Sequence, residues 1–404
     1  MKYILIIGDG MADHPLEELG GKTPLQIANH PNMDYISSRG LCGSLETVPQ
    51  GLDIGTDVAI MSILGYDPKN FSVGRGPLEA ASMGVKLGQD DLALRCNLVT
   101  VKENILIDYS AGHISTEEAK ELIGCISEAY RRAGEIEFFT GVGYRHLLVL
   151  RGSRYSDKIL CTPPHDALGS SIFKILIKPT DERGTKTTQT LNEMIINSKD
   201  ILSNHPINMR RVKEGMKPAN TIWPWGQGRM LNFQPFFDIH AVRGAVISAV
   251  DIVNGIGVFA GMNIIRVPGA TGYYDTNYEG KADYALKSLE DHDFTLVHVE
   301  APDEASHIGD YNLKIRTIED LDKRLIGRLL NRLEGDHTIA ILSDHATLTD
   351  LRVHARGPVP FAIFSTLQHN GDDIKHFNEF SVKKGSLGII KGEDFMPLFL
   401  RKNP

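Results

Sequence analysis

Apolar residues are unevenly spread along this chain. Residues 3–7 form an unbroken, partly β-branched apolar run that ends in Gly8-Asp9-Gly10. Such a run reads as a strand buried on both faces of a parallel sheet. Three comparable runs come late, at residues 294–299, 338–342 and 359–364, and two of them lead directly into acidic residues and histidines. Between them the spacing changes. Over residues 317–333 the apolar positions Ile318, Leu321, Leu325, Ile326 and Leu329 recur at helical intervals. Alternation of strand and helix predicts a doubly wound α/β fold with a mostly parallel sheet. Ligands of such sheets bind beyond the carboxyl ends of the strands, so charged groups there carry functional weight.

The middle of the chain has a periodicity of its own. It contains Leu92-Ala93-Leu94-Arg95-Cys96-Asn97-Leu98-Val99, an amphipathic helix opened by Ser115 and Glu118, and Arg145-His146-Leu147-Leu148-Val149-Leu150. Ser115 and Glu118 fit a capping box. Polar stretches bound the segment. It is expected to be a smaller α/β domain, residues 89–200, inserted into a core formed by residues 1–88 and 201–404.

Composition narrows the function. A length of 404 residues suits two or three domains. Forty-three lysines and arginines against 51 acidic residues give a net charge of −8, which offers no electrostatic reason to expect nucleic acid or an anionic membrane as partner. An anionic substrate would need a local arginine cluster or metal ions. Cys42, Cys96, Cys125 and Cys161 are scattered without CxxC spacing, so neither a disulfide framework nor a zinc ribbon is suggested. The first apolar run is too short for a signal-peptide core, and no stretch approaches membrane-spanning length. The default compartment is the cytoplasm. Nothing in the sequence sets an oligomeric state.

Candidate chemistry gathers at the strand ends. Asp9 lies between two glycines, where the backbone can turn sharply and expose a carboxylate. Asp303 and His307 are four residues apart, on one face if that turn is helical. Asp344-His345 follows a strand immediately, and His354 comes nine residues later, ahead of another. Taken singly these are ordinary: Asp-Gly after a strand is commonly a turn, and an Asp four residues before a His is commonly a surface pair. Together they form a mixed oxygen and nitrogen ligand set that suits zinc, manganese or magnesium. Two such ions side by side would clamp the attacking and leaving oxygens of a phosphoryl displacement. The stretch Gly55-Thr56-Asp57 before an apolar run reads as a helix start. Thr56 is there either a plain cap or a hydroxyl poised where backbone N–H groups favour an anion.

Several segments carry a family resemblance over nearly the whole chain. They are Ile7-Gly8-Asp9-Gly10-Met11 with Thr23-Pro24-Leu25-Gln26, Gly55-Thr56-Asp57 through Gly65-Tyr66-Asp67-Pro68, and Gly74-Arg75-Gly76-Pro77-Leu78-Glu79-Ala80. Further segments are Arg95-Cys96-Asn97-Leu98, Pro268-Gly269-Ala270-Thr271-Gly272, the Asp303 to His354 set, and Pro358-Val359-Pro360-Phe361. In these the chain resembles the archaeal-type, cofactor-independent phosphoglycerate mutases of the alkaline phosphatase superfamily.

The resemblance implies an alkaline-phosphatase-like core with the inserted domain as a substrate-binding lid. It implies one divalent metal held by Asp303, His307 and His354, and another by Asp9, Asp344 and His345 with Thr56. Thr56 would be the phosphorylated residue, and no 2,3-bisphosphoglycerate would be needed. The substrate would be a small phosphorylated anion. Arg95, Asn97 and Arg145 of the insertion, Arg229 of the core and Lys281 are its candidate contacts.

The chain departs from the pattern in having threonine where the mutases carry serine, a methyl that stiffens χ1, and in the apolar Ile60 beside it. Asp108-Tyr109-Ser110-Ala111-Gly112, Thr162-Pro163-Pro164-His165-Asp166 and the segment from Asn220 to Arg229 are most similar to a subgroup proposed as homoserine kinases. An ATP-dependent kinase and a plain phosphatase are therefore the alternatives. Gly21-Lys22-Thr23 lacks the upstream glycine of a P-loop, and the glycines around Ile256 lack the acidic partner of a dinucleotide site. A silent metal-binding protein would be expected to lose a ligand, and all six are present.

Overall fold

The first apolar run becomes the strand Lys2–Gly8, near the middle of an eight-stranded sheet. The computed structural model describes residues 1–70, 74–131, 134–230, 233–368 and 370–400. Two units are present: Met1–Phe71 with Phe233–Pro404, and Ser72–Asn232.

In the larger unit the strand order is Asn263–Ile264, Gly244–Ile247, Phe294–Val299, Lys2–Gly8, His337–Leu342, Val359–Ser365, Leu41–Glu46 and Ile389–Lys391. Neighbours run parallel except around Val359–Ser365, which is antiparallel to both strands beside it. The α/β class and the mostly parallel sheet are as the pattern predicts; the run at 359–364 is the strand that reverses. Register aligns the central strands. Ile7 lies opposite His298 on one side and Leu342 on the other, so three strands end level and deliver their next residues to one place.

The periodic segment 317–333 is helical but not uniform. A helix Tyr311–Asp320 passes into a π-helical turn Leu321–Ile326 and then Gly327–Leu330. Leu321, Leu325 and Ile326 of that turn are all buried.

The smaller unit is built on the long strand Leu92–Lys102, which pairs antiparallel with Ile105–Asp108, Arg145–Leu150 and Thr221–Arg229; Ile136–Phe139 extends the sheet beyond Arg145–Leu150. The helices Thr116–Tyr130 and Thr185–Ser203 supply Leu122, Ile123, Ile126, Leu191, Met194 and Ile195 to its core. Ser115 caps the first by accepting from the Glu118 N–H at 3.2 Å, but the Glu118 carboxylate pairs with Arg210 and Arg211 instead of closing the box. This unit is wider than the 89–200 segment marked by composition. Thr221–Arg229 belongs to it because it is zipped to Leu92–Lys102. The helix Arg75–Ser82 joins it because Gly76 lets the backbone approach the Ala93 carbonyl, which a Cβ would meet at 2.3 Å. Among the described residues, no helix is long and apolar enough to cross a membrane.

Candidate metal centre

Each predicted ligand is placed by an element end of the larger unit. Asp9 follows the strand Lys2–Gly8, and Gly10 turns the chain at a φ of 56°, a left-handed conformation that glycine adopts without penalty. A Cβ there would lie 2.4 Å from Asp303 Oδ1 and 2.5 Å from Thr347 Oγ1. Asp303 and His307 sit one turn apart on the helix Ala301–His307, as their spacing predicts, with His307 Nε2 3.1 Å from Asp303 Oδ2. Asp344 and His345 follow His337–Leu342. A hairpin of Ala346–Leu348 with Val353–Ala355 then sets Thr347 opposite His354 and returns that imidazole to the same place.

The donor atoms converge. His307 Nε2 and His354 Nε2 are 2.9 Å apart, and His354 Nε2 is 3.6 Å from Asp303 Oδ1. His345 Nε2 lies 3.3 Å from Asp9 Oδ1 and 3.5 Å from Asp344 Oδ2. The donor atoms of Asp303, His345 and His354 also lie within 4.8 Å of one another, so His345 stands between the two groups. Two neighbouring cations fit these residues because the buried atoms are not otherwise satisfied. Asp344 Oδ1 accepts from the Gly10 and His345 N–H groups, yet its Oδ2 and Asp9 Oδ1 have no hydrogen-bond partner among the described residues. Leaving such atoms buried and bare is costly.

Charge tells the same story. Burial, then the Asp344 and Asp303 carboxylates, push the Asp9 carboxyl well above its usual range. Burial also acts on Asp303, but hydrogen bonds from His307 and His354 outweigh it and hold Asp303 well below. The bond to Asp303 in turn raises His307 to about 9. Carboxylates crowded together in this way call for positive charge.

Thr56 is the first residue of the helix Thr56–Ile63, and Gly55 is its N-cap. Thr56 therefore does not stand at the N-cap position, which Gly55 takes. Its Oγ1 instead lies 3.4 Å from both Asp9 Oδ2 and His345 Nε2.

The other candidates divide. In the smaller unit Arg95 is buried, paired with Glu79 at 3.1 Å and set 5.2 Å from the Trp225 ring centroid; Arg75 holds the same distance from that ring. Burial first, offset by Glu79 and reinforced by Arg145 and Arg75, lowers the pKa of Arg95. Arg145 is exposed beside Tyr144. Asn97 is spent on structure, accepting from Trp225 Nε1 at 3.1 Å and donating to the Tyr109 carbonyl at 3.2 Å. Arg229 belongs to this unit rather than the core, and its guanidinium holds the Asp90 and Tyr155 carbonyls. Lys281 is buried in the larger unit, where its Nζ donates to the His298 carbonyl at 2.8 Å, and burial pushes it down to about 8. It fastens a strand end and has no free face for a substrate.

The sequence pattern missed Arg75 and His165, whose ring lies 5.3 Å from Trp225, although both stand within segments that carry the resemblance. It also missed His298 and Glu300. His298 Nε2 is 3.1 Å from Asp9 Oδ2. The available signal was an imidazole inside an otherwise apolar strand with an acid just after it.

Comparison with known proteins gives the family. Residues 37–208 match the family model described as 2,3-bisphosphoglycerate-independent phosphoglycerate mutase. A Methanosarcina barkeri protein of that name is 48% identical over 404 residues, covering 99% of this chain and 100% of its own. A Geobacter sulfurreducens protein, named as a probable one, is 45% identical with the same coverage. Among solved structures, a Pyrococcus horikoshii protein superposes with a TM-score of 0.84 at 32% identity, covering 99% of this chain and 96% of its own. The cofactor-independent phosphoglycerate mutase of Thermoplasma acidophilum gives 0.67 at 29%, with 99% of each chain covered.

Proposed function

Because the chain belongs to the 2,3-bisphosphoglycerate-independent phosphoglycerate mutase family, we propose that it is an isomerase that interconverts 3-phosphoglycerate and 2-phosphoglycerate through a phosphorylated Thr56. The observation that carries the reading is the Thr56 hydroxyl, 3.4 Å from Asp9 Oδ2 and from His345 Nε2 at the start of a helix. Asp303, His307 and His354 would hold one divalent cation, and Asp9, Asp344 and His345 the other. When bound, these would neutralise the charge on the transferring phosphoryl group.

The residues of the chain do the rest. Thr56 Oγ1 attacks phosphorus while the bond from phosphorus to the glycerate oxygen breaks, and its proton has the Asp9 carboxylate, Oδ2 at 3.4 Å, as acceptor. The glycerate then takes the group back on its other hydroxyl, so the net change is isomerisation. The γ-methyl of Thr56 restricts χ1 and favours a single attacking position. Helix N–H groups at residues following Gly55 face the anion. Arg95 and Arg145 are the groups we assign to the anionic substrate, with Arg75 beside them.

The test is a coupled assay in manganese buffer without 2,3-bisphosphoglycerate, run beside homoserine plus ATP. Wild type is expected to convert 3-phosphoglycerate only. Thr56→Ala should lose about ten-thousandfold in rate, and Thr56→Ser should stay within about tenfold. Full activity in Thr56→Ala would sink the covalent route, and phosphorylation of homoserine alone would sink the mutase reading.

A further inference from the structure

We propose that His298 is a further metal ligand, sharing one ion with Asp9 and Asp344. The proposal rests on the metal-dependent reading of the site and adds a residue to it. His298 lies inside the strand Phe294–Val299, opposite Ile7 of Lys2–Gly8. It therefore reaches the strand ends from the side opposite His345. Its side chain is fully buried, at 0% exposure.

Two features separate it from a core histidine. The first is convergence without a hydrogen bond. Nε2 comes within 3.1 Å of Asp9 Oδ2, yet it has no hydrogen-bond partner among the described residues, as is also true of Asp9 Oδ1 and Asp344 Oδ2. One donor atom each from Asp9, His298 and Asp344 lie within 4.8 Å of one another. Buried donor atoms brought together in this way, with the His298 Nε2, Asp9 Oδ1 and Asp344 Oδ2 atoms left without hydrogen-bond partners, are what a cation resolves.

The second feature is the direction of the ring. Metal-binding histidines turn one ring nitrogen to an outer oxygen, which fixes the tautomer and frees the other for the ion. The three predicted imidazoles obey this with Nδ1. His307 faces the Arg352 carbonyl at 3.1 Å, His345 the Thr347 hydroxyl at 3.2 Å, and His354 the Ile54 carbonyl at 3.3 Å. His298 follows the same rule, with Nδ1 3.4 Å from Ser248 Oγ and 3.8 Å from Glu300 Oε2. The equally buried His146 of the smaller unit does the reverse: its Nδ1 accepts from the Gly141 N–H at 3.2 Å. His298 thus groups with the ligands by both of its nitrogens.

The deciding measurement uses the unaltered protein loaded with cobalt(II). Each ligating imidazole whose other nitrogen keeps its proton gives one hyperfine-shifted, exchangeable N–H resonance in the proton spectrum. Four such signals are expected, of which His298→Gln removes one. In a chelator competition, His298→Gln should also bind one of two cobalt equivalents about ten- to a hundredfold more weakly, the other being unchanged. Three signals in wild type, or wild-type affinity at both sites in His298→Gln, would overturn the assignment. A wild type that takes up no stoichiometric cobalt would instead overturn the metal-dependent reading on which the proposal stands.

Discussion

A buried ionisable side chain with no opposite charge beside it makes stability depend on pH, and His146 is such a residue. It is fully buried on the strand Arg145–Leu150, and burial drives its pKa from 6.5 to about 3. Between those values the unfolded chain binds a proton that the folded chain refuses. The contribution is therefore complete above pH 6.5 and is lost as pH falls toward 3. Moving from pH 6.5 to 4.5 should cost the smaller unit about 2 kcal/mol. The chain has two tryptophans, Trp223 and Trp225, both on the strand Thr221–Arg229 of that unit. Urea midpoints followed by tryptophan fluorescence should thus fall over this range. His146→Phe should flatten the fall while losing about 1 kcal/mol at pH 7 for the unpaired Gly141 N–H. A wild-type midpoint that does not move between pH 6.5 and 4.5 would contradict this.

At the scale of the element, the turn after Lys2–Gly8 is expected to matter as much as any proposed ligand. Gly10→Ala would drive a methyl into Asp303 Oδ1 and Thr347 Oγ1 at a position of positive φ. The substitution should cost metal affinity at the Asp303 site and lower turnover by a hundredfold or more, roughly 3 kcal/mol. Atomic-absorption stoichiometry alongside the coupled assay would check it, and full occupancy with normal turnover would show that the turn has slack.

The same element explains how much of the site is legible in the sequence. Strands buried on both faces announce themselves as apolar runs, and acids or histidines just past their ends, such as Asp9 and Asp344-His345, stand out against them. Asp303 and His307 were legible because helical spacing pairs residues four apart. The proposed ligand His298 left only a faint signal, an imidazole in an apolar strand, and it takes the register with Ile7 to bring the neighbouring carboxylate into view. Lys281 and Arg229 show a different limit. A cation in a sequence says nothing of whether its head will reach solvent or a backbone carbonyl, and here both are held by carbonyls. The extent of the smaller unit was hidden because Thr221–Arg229 joins it by pairing with a strand more than a hundred residues earlier.

For the whole molecule, the proposed ligands and the reporters are segregated. Asp9, Thr56, His298, Asp303, His307, Asp344, His345 and His354 all belong to the unit Met1–Phe71 with Phe233–Pro404, which has its own apolar core; both tryptophans belong to Ser72–Asn232, which has another. An ion that binds only folded protein stabilises the part whose folding makes the site, by about 2.7 kcal/mol at a hundredfold excess over its Kd. For a unit of this size that corresponds to a rise of about 5–10 °C in unfolding temperature. Manganese should therefore raise one calorimetric transition by that amount, and chelation should reverse it. The transition seen by tryptophan fluorescence should stay in place, because neither tryptophan lies in the unit that forms the site. Equal shifts in both signals would mean that the two units unfold as a single cooperative block. A shift in the fluorescence signal alone would place the metal in the smaller unit and overturn the ligand set proposed for the larger one.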